Sequence, residues 1–242
     1  MTLFLTSSPF VENAEGPILS NANGFIDRIR EALPPFPRCL FVAADPERRD
    51  LCCQFGTDVV TAFSREGILF SAFQVLDSWN GAEAPALLEN ADFLVLAGGH
   101  VPTQNDFLRE TGLAESLKGW EGVVMGISAG SMNCAEYVYV QPEEPGESAP
   151  DFPRWARGLG LTGVNILPHY QKVRNNILDG LRLFEDITYA DSFGNCFFAL
   201  VDGSYVYQDP ERLLLFGEGY VLRDGILEPL TREGEVFDLS CL

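Results

Sequence analysis

The sequence predicts an α/β protein: a mostly parallel twisted sheet with helices on both faces, extended at its C-terminal end by antiparallel hairpins. Three observations predict it. In the first half, short apolar runs alternate with helix-length amphipathic stretches, and strands separated by such helices form right-handed crossovers in a parallel sheet. Near the middle, Gly122-Val123-Val124-Met125 runs directly into Gly126-Ile127-Ser128-Ala129-Gly130, the sequence form of a tight strand-to-helix elbow. From residue 196 onward, short apolar runs follow one another across Gly-containing turns, which is the pattern of antiparallel strands.

Residues 3–7 form the first predicted strand, and 23–33 a helix with Phe25, Ile29 and Leu33 on one face. Pro34-Pro35 ends that helix because proline supplies no N–H donor. A second strand over 38–44 precedes a helix over 46–65 that carries Leu51, Phe55, Val59 and Phe63. Residues 68–76 and 92–97 are the third and fourth strands, Pro102 opens a helix through 117, and 122–125 is the fifth strand. The Pro- and Glu-rich stretch 141–154 has no periodicity and reads as a long loop. Beyond it, 163–167 is a strand ending at Pro168-His169, and 175–184 is a predicted helix. Short strands follow over 196–201, 204–208, 213–216, 219–222 and 226–229, with turns at Asp202-Gly203 and Asp224-Gly225.

The length of 242 residues fits one domain spanning 1–242, and 46% hydrophobic with 12% aromatic residues can fill a sizeable core. A net charge of −19 argues against nucleic acid or anionic membrane as partners, since both require a basic footprint. Cys39, Cys52, Cys53, Cys134, Cys196 and Cys241 form neither a C-x-x-C pair nor zinc spacing, which suits reduced thiols in a cytosol. The N-terminus lacks a basic segment and a signal-length apolar run, and no stretch approaches a membrane span. A cytoplasmic protein is therefore expected. No Walker motif, His-Glu-x-x-His pair or EF-hand loop occurs, so neither cofactor nor metal is expected.

In the elbow, small residues must flank Ser128 because a larger side chain would meet the neighbouring backbone. The serine then projects from a strand end, beside helix N–H groups that can receive an oxyanion. A serine nucleophile needs a base, and the chain has two histidines, His100 and His169. His169 follows a strand beside a stiffening proline and is the expected base, whereas His100 is expected to shape the pocket. Gly98-Gly99 after the fourth strand lets backbone approach a substrate, so the Gly99 and Ala129 N–H groups are the candidate oxyanion donors. A carboxylate should orient the imidazole. Between Ser128 and His169 the candidates are Glu136, Glu143, Glu144, Glu147 and Asp151.

Three segments together, Leu94-Val95-Leu96-Ala97-Gly98-Gly99, Gly126-Ile127-Ser128-Ala129-Gly130 and Ile166-Leu167-Pro168-His169, resemble the serine dipeptidases of the dipeptidase E (aspartyl dipeptidase) family, with cyanophycinase as a cousin. The resemblance implies a class I glutamine amidotransferase-like, flavodoxin-like sandwich, with serine where amidotransferases carry cysteine. It implies Ser128 as nucleophile, His169 as base and Glu143, fifteen residues after the serine, as the third member, with Glu144 close behind. The substrate would be a small peptide, and a homodimer is expected. His100, Gln104 and Arg174 are the expected substrate contacts; His100-Val101-Pro102-Thr103-Gln104 departs from the family's usual Gly-Asn-Thr type of loop. Selection of an N-terminal Asp would need a cation in the pocket, for which Lys172, Arg174 and Arg154 are the nearby candidates. Two competing readings are an α/β-hydrolase esterase, which shares the pentapeptide, and a binding protein that keeps the fold without turnover.

Overall fold

A computed structural model describes residues 1–11, 13 and 16–242. The strands of its two larger sheets are numbered here in chain order: β1 Thr2–Thr6, β2 Arg38–Val42, β3 Ala72–Leu76, β4 Phe93–Leu96, β5 Val123–Ile127, β6 Asn165–Leu167, β7 Cys196–Leu200, β8 Tyr205–Gln208, β9 Leu213–Phe216, β10 Gly219–Arg223, β11 Ile226–Thr231 and β12 Val236–Asp238. The larger sheet has the order β12-β9-β8-β1-β5-β4-β2-β3. Its β1-β5-β4-β2-β3 portion is parallel, and β8, β9 and β12 extend it antiparallel. The carboxyl ends of β4 and β5 therefore lie side by side, where ligands gather in open α/β sheets.

The central strands β4 and β5 are apolar and almost wholly buried because both faces are covered, whereas the edge strand β3 is exposed at Ala72 and Gln74. Along β1, Leu3 and Leu5 join one core with Leu94, Leu96, Val101 and Met132. Phe4, between them, joins the other with Phe25, Ile29, Phe41, Phe63 and Met125. The period-2 alternation of a strand thus feeds two separate helix-covered layers.

Several expected boundaries change. The strand expected over 68–76 begins only at Ala72. Its neighbour β2 begins at Arg38, and the preceding Pro37 has no N–H to extend the ladder. The helix expected through 117 breaks into Val101–Glu110 and Leu113–Ser116 at Gly112, whose φ is +68°. The helix expected over 175–184 is a correction. Ile177–Leu178 and Leu181–Arg182 form a small hairpin around Asp179 and Gly180, both at positive φ, the turn that a two-residue hairpin requires.

The C-terminal strands do not all extend the parallel sheet. A second sheet has the order β6-β7-β10-β11, with β6 and β7 parallel and the rest antiparallel. Asp202-Gly203 is consequently no hairpin turn: it carries the chain from β7 in one sheet to β8 in the other. A third core of Tyr139, Leu167, Tyr170, Phe184, Phe197 and Leu222 packs on this second sheet. Stretch 141–154 is the expected loop, and it joins the paired strands Tyr137–Tyr139 and Trp155–Arg157. Among the described residues, no helix is long and apolar enough to cross a membrane.

Candidate active site

The elbow follows from two glycines and two neighbouring strands. A Cβ on Gly126 would come within 2.5 Å of the Ser131 backbone, and one on Gly130 would overlap the Leu96 carbonyl. With both positions open, Ser128 turns the chain at φ 51° and ψ −111°, a region that side chains rarely occupy. The Ser128 N–H donates to Thr6 O at 3.0 Å, and its carbonyl accepts from the Ser131 and Met132 N–H groups. Thr6 Oγ1 donates to Gly126 O at 2.7 Å, and Ser131 Oγ donates to Thr6 O at 2.9 Å. The strained serine is held by β1 as much as by its own strand.

His169 reaches the same point from the second sheet. It follows β6 and Pro168, adopts a left-handed φ of 58° and caps the short helix Tyr170–Val173. Its N–H donates to Ser7 Oγ at 2.7 Å, just beyond β1. The ring Nε2 lies 3.0 Å from Ser128 Oγ, and Nδ1 lies 2.6 Å from Asp202 Oδ1. With Nδ1–H donating to Asp202, Nε2 is free to accept from the serine hydroxyl.

Asp202 stands at the crossing between the two sheets. Its Oδ1 also accepts from Ser7 Oγ at 2.8 Å, while Oδ2 accepts from Gln171 Nε2 at 2.6 Å and pairs with Lys172 Nζ at 2.7 Å. Burial by itself would raise this carboxyl's pKa, but the hydrogen bonds from His169, Lys172 and Ser7 outweigh it and hold the group well below the usual carboxylate range.

The carboxylate against His169 is therefore Asp202 and not Glu143. The place behind the ring is filled before the 141–154 loop reaches it. Glu147 pins that loop: its Oε1 pairs with His100 Nε2 at 2.8 Å, and its Oε2 accepts from the Glu143 and Glu144 N–H groups at 2.8 and 2.9 Å. Arg154 Nη1 donates to Glu147 O at 2.7 Å, and the Gly146 N–H donates to Asp179 Oδ2 at 2.8 Å. Glu143 consequently lines a cavity of about 180 Å³ that also contains Ser128, His169 and Gly99.

The expected substrate contacts lie elsewhere. His100 has both ring nitrogens engaged, Nδ1 with Thr103 Oγ1 and Nε2 with Glu147, and so ties the loop down. Gln104 is fully buried, donating to Ala97 O at 2.9 Å and accepting from Asn133 Nδ2 at 3.1 Å. It braces the Gly98-Gly99 loop from beneath. Arg174 is exposed, its N–H donates to Tyr170 O at 3.0 Å, and it is not part of the cavity wall. Gly99, by contrast, does line the cavity. Its φ is +158°, and a Cβ there would meet the Ala44 Cβ at 2.7 Å. His100, Glu144 and Glu147 bring potential ligand atoms within 4.8 Å of one another, and two of the three already bond each other.

Asp202, Ser7 and Gln171 escaped the sequence reading, and Lys172, expected as a candidate pocket cation, pairs with Asp202 instead. The available signal for Asp202 is its place just after a buried strand, at that strand's carboxyl end, where Asp202-Gly203 also has the sequence of a turn.

Residues 54–206 match the sequence profile of peptidase family S51. Among solved structures, a peptidase from an acI-B1 Actinobacterium is similar at a TM-score of 0.70 and 19% identity, over 98% of this chain and 96% of that one. A protein of Listeria monocytogenes EGD-e assigned to peptidase E is similar at a TM-score of 0.60 and 17% identity, over 95% of this chain and 98% of that one. At these identities the likeness is one of fold. No curated protein matches the sequence.

Proposed function

The chain belongs to peptidase family S51, and from that premise we propose that it hydrolyses small peptides by acyl transfer through Ser128. His169 is the general base and Asp202 the carboxylate that orients it. The observation that carries the reading is the unbroken relay Ser128 Oγ, His169 Nε2, His169 Nδ1, Asp202 Oδ1, with spacings of 3.0 and 2.6 Å.

In the first step His169 Nε2 accepts the Ser128 proton as Oγ attacks the peptide carbonyl. Charge develops on the carbonyl oxygen, and the Gly99 and Ala129 N–H groups are the donors proposed to receive it. Neither N–H has a hydrogen-bond acceptor among the described residues. The imidazolium that forms is stabilised by Asp202, which stays ionised because Lys172, Ser7 and Gln171 satisfy its other valences. His169 then returns the proton to the leaving amine, and water releases the acyl group by the same relay in reverse.

Replacing Ser128 by Ala should lower kcat for dipeptide hydrolysis by about 10⁴-fold or more. A fluorophosphonate should label the parent protein at Ser128 and leave the variant unmodified. Hydrolysis by Ser128→Ala at the parental rate would sink the mechanism.

A further inference from the structure

Three consecutive residues at the carboxyl end of β1 hold different parts of the site. Thr6 O accepts from the Ser128 N–H at 3.0 Å. Ser8 O accepts at 3.0 Å from the N–H of Gly203, the residue after Asp202. Ser7, between them, is fully buried, and its own N–H donates to Ser204 O at 3.2 Å. Residues 6–8 are thereby fixed against the elbow on one side and against the crossing between the sheets on the other.

The Ser7 side chain closes a circuit that begins and ends on His169. The His169 main-chain N–H donates to Ser7 Oγ at 2.7 Å. The hydroxyl has one proton and two acceptors in reach, Asp202 Oδ1 at 2.8 Å and Leu200 O at 3.3 Å. The shorter bond, to an ionised oxygen, is the stronger. Asp202 Oδ1 then meets His169 Nδ1 at 2.6 Å. The main chain and the ring of one residue are thus tied to the same oxygen through one hydroxyl, a group that accepts and donates at a single atom. That fixes the imidazole against its own backbone, which stands at a left-handed φ of 58°, and aims Nε2 at Ser128 Oγ, 3.0 Å away. Gln171 and Lys172 do not duplicate this role, because both hold Oδ2. Among the described residues, Ser7 does not line the Ser128 cavity.

Resting on the acyl-transfer reading above, we infer that Ser7 is a positioning residue of the hydrolysis: it sets the His169 ring and Asp202 Oδ1 in line for proton transfer without touching substrate. Removing its hydroxyl takes the acceptor from the His169 N–H and frees the Asp202 carboxylate to turn. The ring then loses its direction while the cavity that binds substrate stays intact.

The test is Ser7→Ala, assayed with a dipeptide at a temperature where urea melts show the variant folded. kcat should fall about 10- to 100-fold with KM little changed, and fluorophosphonate labelling of Ser128 should slow in parallel. In the Asp202→Asn background the same substitution should cost about twofold or less, since a residue that acts through Asp202 has little left to act on. Ser7→Cys, which keeps a weak donor and acceptor at similar size, should fall between the parent and Ser7→Ala. One readout needs no turnover. The His169 Nδ1–H proton, followed by NMR in isotope-labelled protein and assigned by its loss in His169→Gln, should exchange with water about tenfold faster in Ser7→Ala. Parental kcat in Ser7→Ala or Ser7→Cys, a loss expressed in KM alone, equal losses with and without Asp202→Asn, or unchanged Nδ1–H exchange would each overturn the inference. If Ser128 of the parent escapes labelling, the acyl-transfer reading falls instead, and the exchange of the Nδ1–H proton still decides whether Ser7 sets the ring.

Discussion

Ser128 is the only residue of its pentapeptide that both departs from ordinary backbone geometry and faces the cavity. Backbone strain of this kind costs on the order of 1–3 kcal/mol, and it persists because Thr6, Ser131 and Met132 determine the turn from three directions. Ser128 and His169 were both legible from residue type and context: small neighbours around the serine, and a stiff strand end before the histidine. Asp202 was not legible. Thirty-three positions separate it from His169, and a change of sheet unites them. Asp202→Asn should lower kcat by about 10³–10⁴-fold, because the amide neither balances the imidazolium charge nor fixes the tautomer with Nδ1–H, with much less effect on KM. The same substitution tests the depressed pKa. Asp202's native-state pKa lies below its unfolded value, so its contribution to stability is present above the ordinary carboxylate range, near pH 4, and fades as pH falls. In urea melts the gap between parent and Asp202→Asn should therefore shrink from pH 7 toward pH 3. A gap that widened on acidification would contradict the assignment.

At the scale of elements, the 141–154 loop is decisive and was half legible. Its lack of periodicity and its Pro and Glu content announced a loop, and the loop does border the site. Its function there was misread, because composition does not reveal which side of the serine a loop will cover. That depends on contacts with distant residues: His100 meets Glu147, whose carboxylate holds the turn carrying Glu143, and Asp179 accepts from Gly146 and Ser148. Such a hydrogen bond contributes about 0.5–1.5 kcal/mol. His100→Ala should therefore raise the rate of proteolytic cleavage within 141–154 by about two- to tenfold, with a modest fall in kcat/KM and little change in melting temperature. Unchanged cleavage would mean that Arg154 and Asp179 hold the loop without it. The Ile177–Arg182 hairpin illustrates the opposite error. Asn175 to Phe184 has apolar residues at helical spacing, but Asp179-Gly180 is a hairpin turn signal and outweighed the period.

At the scale of the whole molecule, two sheets meet at the hydrogen-bonded Ser128, His169 and Asp202. The larger one delivers Ser128 from β5 and Ser7 from just beyond β1, and the smaller one delivers His169 from β6. The smaller sheet's packing should thus matter to activity as well as to stability. Phe197 on β7 is fully buried, stacks on Tyr139 at a centroid distance of 4.5 Å and pairs with Asn165 of β6. Phe197→Ala should cost about 3–5 kcal/mol in denaturant unfolding. At a temperature where the variant is still folded, kcat should fall further than KM rises, since the histidine's strand is loosened. Full activity in a destabilised variant would show the relay to be independent of that core.

By itself the sequence determined the α/β class, the parallel strands, the elbow and its serine, and the histidine after β6. These rest on local facts: the period of apolar residues, the need for Gly beside a tight turn, and the scarcity of histidine. Only the tertiary structure decided which carboxylate meets the imidazole, that Gln104 is a buried brace, and that His100 ties down the 141–154 loop. Each of those depends on where two sheets and a long loop come to rest against one another, and a contact made across such distances leaves no local pattern in the chain.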